Sequence, residues 1–113
     1  MSTTADIAIE RLGAWAVARI GGELDMSNCS YVRDELTRSV PGDADGLIVD
    51  LDATLYLDSA AIELLFELAR RLGRHRQELR IAMPDESPLR RVLELTHVRA
   101  VAPVHPTVEA ALA

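Results

Sequence analysis

A chain of 113 residues, 49% apolar and carrying a formal charge of −6, has the length of one domain, here 1–113 with a core of about 6–112, and enough apolar surface to bury an interior. That balance excludes a disordered chain, and the acidic excess excludes a nucleic-acid footprint, which needs a concentrated basic face. No apolar run of roughly 18 residues marks a membrane span, no basic and apolar leader suggests secretion, and the lone Cys29 cannot close an internal disulfide, which together point to the cytoplasm.

From the N-terminus, Ile7 and Ile9 alternate, Gly13 breaks the run, and Trp15, Val17 and Arg19 resume it on one face, which predicts a β-hairpin with one half-buried side. Residues 21–25, GGELD, end that hairpin in this reading. Ser27 is the expected N-cap of a helix carrying Cys29, Val32, Leu36 and Val40 at helical spacing, stopped by Pro41-Gly42. Leu47-Ile48-Val49, continued through Leu51, is a short, nearly unbroken apolar run and predicts a strand covered on both faces, followed by a loop up to Asp58.

After Ser59, the positions Ile62, Leu65, Phe66, Ala69 and Leu72 make one apolar stripe, with Glu67 and Arg71 four apart on the other face and Gly73 as terminator. Residues 78–83 predict another strand. Ser87-Pro88 is a helix start, because serine accepts an orphan N–H and proline tolerates the first helical position. Residues 98–104 supply a last short strand, and Pro106 opens a terminal helix with Val108, Ala111 and Leu112. The resulting order, ββαβαβαβα, predicts an α/β fold: a mixed, mostly parallel sheet with an N-terminal hairpin and about four flanking helices. In such sheets functional loops gather at the carboxyl ends of the strands, which brings Asp25 and Ser59 to one edge.

Chemistry has few carriers here. All 12 basic residues are arginine, and without lysine neither a Walker phosphate loop nor a Schiff-base enzyme can be built. His75, His97 and His105 lie far apart, without metal-ligand spacing, so neither a metal nor a cofactor is expected. Trp15 reads as hairpin packing, Cys29 as core, and Arg70, Arg71, Arg74, Arg76 and Arg80 as a solvated face or a contact for an acidic partner.

Asp58-Ser59 supports two readings. Asp58 sits where a helix N-cap belongs, worth about 1 kcal/mol, and Ser59 is then only a small first-turn residue. Equally, a serine in the first helical turn holds its hydroxyl beside free N–H groups at the positive end of the helix dipole. A phosphate there is tolerated by the fold, while its charge of roughly −1.5 to −2 burdens any docked partner.

The ordered set GGELDMSN after a hairpin, LIVDLDATLYLDSA before a helix and PLRRVLELTHV near the C-terminus resembles a STAS domain, specifically the stand-alone anti-sigma factor antagonists of bacteria. The resemblance implies binding to an anti-sigma factor that is itself an ATP-dependent serine kinase. Binding frees the sigma factor; the kinase then phosphorylates the serine after the motif's Asp, and a phosphatase resets it. By motif, that serine is Ser59, and Asp25, Asp58, Ser59, Ala60, Ala61 and Ile62 fall on the partner-binding edge.

Where members often read Asp-Ser-Ser-Gly, this chain reads Asp58-Ser59-Ala60-Ala61, and His97 stands where many carry glycine. Ser59 is then the one serine at the switch, and the methyl of Ala61 stands where glycine would let a partner's backbone approach. The alternative function is a STAS interaction or scaffold module, in a signalling or transporter complex, that works without phosphorylation. Catalysis is not expected, because no histidine lies at a spacing that would activate Ser59.

Overall fold

The computed structural model describes residues 5–113. Strands β1 (Asp6–Leu12) and β2 (Trp15–Leu24) form the expected antiparallel hairpin, closed by a two-residue turn in which Gly13 takes a φ of +63°. A glycine at the first turn position accepts that angle without a Cβ clash, and it matches the twist of the strands.

The hairpin differs from expectation in its second arm. Trp15 to Ala18 are buried on both faces, because β3 (Gly46–Asp50) lies parallel to β2 on the side away from β1. The exposed arm is β1, at the sheet edge. Nor does β2 stop where the GGELD run of residues 21–25 begins. It continues to Leu24 through an irregular register beside Gly22, whose φ is +90°. Along this second half its parallel neighbour is no longer β3 but a further strand, β4 (Thr54–Leu57), occupying what reads from sequence as loop.

The junction is held by Thr54, which is buried and whose Oγ1 donates to the Ile20 carbonyl at 2.5 Å. Strand β5 (Glu78–Ala82) pairs parallel with β3, and β6 (Val104–His105) with β5. The sheet is therefore mixed and mostly parallel, in the order β1-β2-β3-β5-β6 with β4 beside the far half of β2. The element order holds one strand more than predicted.

Helices α1 (Cys29–Ser39) and α2 (Ser59–Arg74) cover one face with α3 (Arg90–Leu95), burying Val32, Leu36, Leu65, Leu68 and Leu93 against Ala16, Ala18, Leu47 and Val49. On the other face α4 (Val108–Leu112) lays Val108 and Ala111 on Trp15, Val17, Ile48 and Ala82. The alternation of Leu47, Ile48 and Val49 thus feeds both cores from one strand, as a doubly covered strand requires. Arg80 leaves the basic stretch: its guanidinium stacks 4.3 Å from the Trp15 ring centroid and donates to the Ala111 carbonyl, while Arg70, Arg71, Arg74 and Arg76 stay exposed.

Several element ends are corrected. Ser27 does not cap α1, which follows Asn28 and has no side-chain cap; the Ser27 groups bond Asp25 instead. Gly73 does not stop α2, and the left-handed residue that turns the chain is Arg76, with φ of 58°. Residues 98–104 split into a 3-10 turn at Val98–Ala100 and the two-residue β6, which follows Pro103, a residue with no N–H to pair. Ser87 accepts the Leu89 N–H at 3.2 Å, but α3 itself begins only at Arg90, and α4, which starts after Pro106, is capped by Thr107, whose Oγ1 accepts the Ala110 N–H at 3.0 Å.

Two substitutions check this architecture. A Cβ on Gly46 would lie 2.0 Å from the Glu78 carbonyl oxygen and 2.8 Å from Trp15 Cζ3, so Gly46→Ala is expected to destabilise by about 2 kcal/mol or more in urea unfolding. His97 holds a φ of 62° without being glycine, so His97→Gly is expected to raise stability by about 0.5–1 kcal/mol. There, relief of left-handed strain exceeds the added entropy of the unfolded chain.

Candidate functional site

Because Leu24 pairs with Leu57 in parallel, the loops that follow β2 and β4 leave the sheet side by side. The first folds on itself. Asp25 Oδ1 accepts the Ser27 N–H at 2.9 Å and the Ser27 hydroxyl at 2.6 Å, and the Asp25 carbonyl accepts the N–H groups of Asn28 and Cys29. Asn28, 2% exposed, locks this turn from beneath: its Oδ1 accepts the Asp25 N–H at 3.1 Å and its Nδ2 donates to the Glu23 carbonyl at 2.8 Å.

The second loop is Asp58, and its carboxylate joins both. Oδ1 accepts the Ala61 N–H at 3.0 Å, capping α2, while Oδ2 accepts the Met26 N–H at 3.1 Å, from the neighbouring loop. The cap alone is worth about 1 kcal/mol. Asp25 and Asp58 thus meet at one edge, and Ser59 follows directly on Asp58 there.

Ser59 is the first residue of α2, exposed, and its hydroxyl has no partner among the described residues. Ala60 is partly buried. Ala61 has no exposed surface and Ile62 is 7% exposed, so both support the edge from inside the core. The Ala61 methyl therefore belongs to the core.

Four apolar side chains at this edge are not legible as site residues in the sequence. Met26 is 80% exposed, Leu55 75%, Tyr31 53% and Tyr56 50%. Met26 lies between the two aspartates, Tyr31 in the first turn of α1, and Leu55 and Tyr56 on β4 just before Asp58. The register explains the pair on β4: Thr54 faces Gly22 and Tyr56 faces Glu23, which leaves Leu55 as the extra residue of a bulge. A bulge breaks the in-out alternation, so two large side chains in succession face outward. Their signal in the sequence is two apolar residues in a segment that otherwise reads as loop.

Cys29, half-buried behind the two aspartates, has its thiol pushed up to about 11, first by burial and then by the negative charges of Asp58 and Asp25. Among the described residues no cluster of acids, histidines and cysteine could hold a metal ion, and no helix is long and apolar enough to cross a membrane.

A family model for the STAS domain matches residues 6–111. The chain belongs to the STAS domain family. Solved structures of similar fold include an anti-sigma factor antagonist from Mycobacterium paratuberculosis, with a TM-score of 0.84 at 23% identity over 96% of this chain and 92% of that one. The anti-sigma factor antagonist SpoIIAA in its unphosphorylated form gives a TM-score of 0.71 at 20% identity, over 95% of this chain and 94% of that one. The phosphorylated form of the Bacillus cell fate determinant SpoIIAA gives 0.69 at 19%, over 94% and 96%. A comparison with curated proteins returned no match.

In this STAS domain the glycine expected near the C-terminal motif is His97, and its φ of 62° shows why glycine suits that position. The alanines after Ser59, by contrast, sit in regular helix and carry no such strain.

The environment of Cys29 generates a direct test. With the thiol at about 11 against 9.0 for a free one, iodoacetamide at pH 8 is expected to alkylate Cys29 roughly a hundredfold more slowly than a model thiol. Burial and the aspartates both disfavour the thiolate, so reactivity rises with pH around 11, and denaturant restores the ordinary rate.

Proposed function

We propose that this STAS domain is an anti-sigma factor antagonist: it binds an anti-sigma factor kinase in the cytoplasm, frees the sigma factor, and is switched off by phosphorylation of Ser59. The observation that carries this reading is the pairing of an exposed, unpartnered Ser59 hydroxyl with a surrounding surface of Met26, Tyr31, Leu55 and Tyr56. The likeness to antagonists of the same fold, one of them known in both unphosphorylated and phosphorylated forms, supports it.

The switch works through charge. Apolar side chains of this size give a docking surface its affinity by leaving water. Of the first N–H groups of α2, that of Ala61 bonds the Asp58 carboxylate and that of Ile62 the Asp58 carbonyl. A phosphate on Ser59 finds only the outermost donors, and it meets the Asp58 carboxylate on the adjacent residue. The free domain holds this charge in water at little cost. A complex must desolvate a charge of roughly −1.5 to −2 inside an apolar contact, which ejects the partner.

Asp25 and Asp58 shape the edge and set its sign, Ala60 lines it, and Ala61 and Ile62 hold it from below. The kinase supplies ATP and the transfer chemistry, a phosphatase reverses it, and this chain contributes the acceptor hydroxyl and no catalytic group. His75, at the far end of α2, is about 24 Å from Ser59 along the helix axis and cannot serve as its base.

The test is binding to the cognate anti-sigma factor. Ser59→Ala is expected to bind like the wild type and to stay unmodified when kinase and ATP are added, whereas the wild type gains one phosphoryl group by intact mass. Ser59→Asp is expected to bind at least about tenfold more weakly, the equivalent of about 1.4 kcal/mol. Binding unchanged by Ser59→Asp, with wild type that never gains mass, points instead to the phosphorylation-independent scaffold.

A further inference from the structure

The end of α2 remote from Ser59 lines a cleft of about 340 Å³, between the C-terminal halves of α1 and α2 and the start of β3. Leu36, Val40, Leu47, Leu68 and Leu72 give it an apolar floor, and Arg71 and His75 line it from the last turn and cap of α2. Its size falls at the low end of the roughly 300–1,000 Å³ of small-molecule clefts, which likewise join apolar walls to a few polar groups. We propose that it binds a small amphipathic anion, a single apolar chain ending in a carboxylate, with the chain on the leucine floor and the carboxylate at Arg71 and His75.

Three observations support this assignment. First, the cationic side chain is free. Glu67, four residues before Arg71, reaches across to Arg33 of α1 at 3.6 Å instead of pairing along its own helix. Two of the last carbonyls of α2 are taken as well: Leu72 accepts the N–H groups of His75 and Gln77, and Gly73 accepts that of Arg76. Arg71 and His75 therefore have no side-chain partner among the described residues.

Second, Thr37 also lines the cleft, and its Oγ1 is buried with no hydrogen-bond partner. An unmatched buried hydroxyl costs about 1–3 kcal/mol, and a ligand oxygen would accept its proton. Third, the cleft is preformed, because Gln77 Nε2 ties the Pro41 and Ala44 carbonyls at 2.8 and 3.1 Å across its rim. The negative end of the α2 dipole opposes an anion here. Selection for a carboxylate thus rests on the Arg71 charge and the His75 ring, and a cationic headgroup would meet the Arg71 guanidinium as a like charge.

The experiment is calorimetric and NMR titration of the whole chain with decanoate, decanol and decyltrimethylammonium, each below its micelle concentration. Gly42 lines the cleft, is exposed, and an added Cβ there meets no atom within 4 Å, so Gly42→Leu folds normally while obstructing entry. Decanoate is expected to saturate one site and to shift the amides of residues 36–42 and 68–77. The exposed double variant Arg71→Gln, His75→Gln weakens it about tenfold or more, and Gly42→Leu abolishes it. Decanol binds about tenfold more weakly than decanoate and is indifferent to the double variant. The assignment is overturned if decanoate leaves those amides unmoved, if the ammonium binds as tightly as the carboxylate, or if the double variant binds decanoate unchanged. None of these outcomes depends on Ser59, so the cleft and the switch stand or fall separately.

Discussion

The Asp58 carboxylate has two oxygens and uses them on two different elements, the first turn of α2 and the loop ahead of α1. Neither bond is exceptional in energy, at about 1 kcal/mol each. What makes them decisive is that one carboxylate joins the start of α2 to the loop ahead of α1. The tie fixes Met26 over the start of α2, with its side chain outward, and holds Asp25 beside Asp58. The aspartate that caps α2 and the one that ties the neighbouring loop to it are thus the same residue in the same geometry. The two readings of Asp58 do not compete.

The edge exists because β2 changes partners. Its first half runs beside β3 and its second half beside β4, and the change occurs at Gly22, where the register slips. Buried strand β3 is plain in the sequence, since an unbroken Leu-Ile-Val run can only be satisfied by cover on both faces. The handover is not plain. Paired glycines read as a terminator, while here one of them lets β2 pass through an irregular step. The same bulge removes the alternation by which β4 would be recognised, so a real strand reads as loop. Composition and periodicity therefore report the regular part of the sheet, and the irregular part, which carries the site, is hidden from them.

Site residues divide along the same line. Asp25, Asp58 and Ser59 are legible because helix-start chemistry uses a short list of residue types at fixed offsets. Met26, Tyr31, Leu55 and Tyr56 are not, because an apolar residue announces burial, and only the fold reveals that these four remain in water. Ala61 shows the converse. In the sequence it looks like an obstruction beside the switch, whereas its methyl belongs to the core. The mismatched helix ends have a similar origin: Arg76 and His97 hold left-handed angles that glycine would hold more easily, and tertiary packing sets the turn against local preference.

The two ends of helix α2 differ in their charged surroundings. At its N-terminus the Asp58 carboxylate caps the helix and Asp25 stands beside it, so the free end of the helix is already supplied with negative charge. At its C-terminus the Leu72 and Gly73 carbonyls accept from backbone donors, and Arg71 and His75 keep their side chains without partners among the described residues. A charge added at the first end repels, and one brought to the second finds donors without partners. The contact of Arg33 with Glu67 produces this asymmetry by drawing the acid away from Arg71 toward α1. An exposed ion pair of this kind adds little to stability, on the order of 0–1 kcal/mol. Its consequence lies in what it leaves unpaired, a single guanidinium above an apolar cleft at the end of the helix farthest from Ser59.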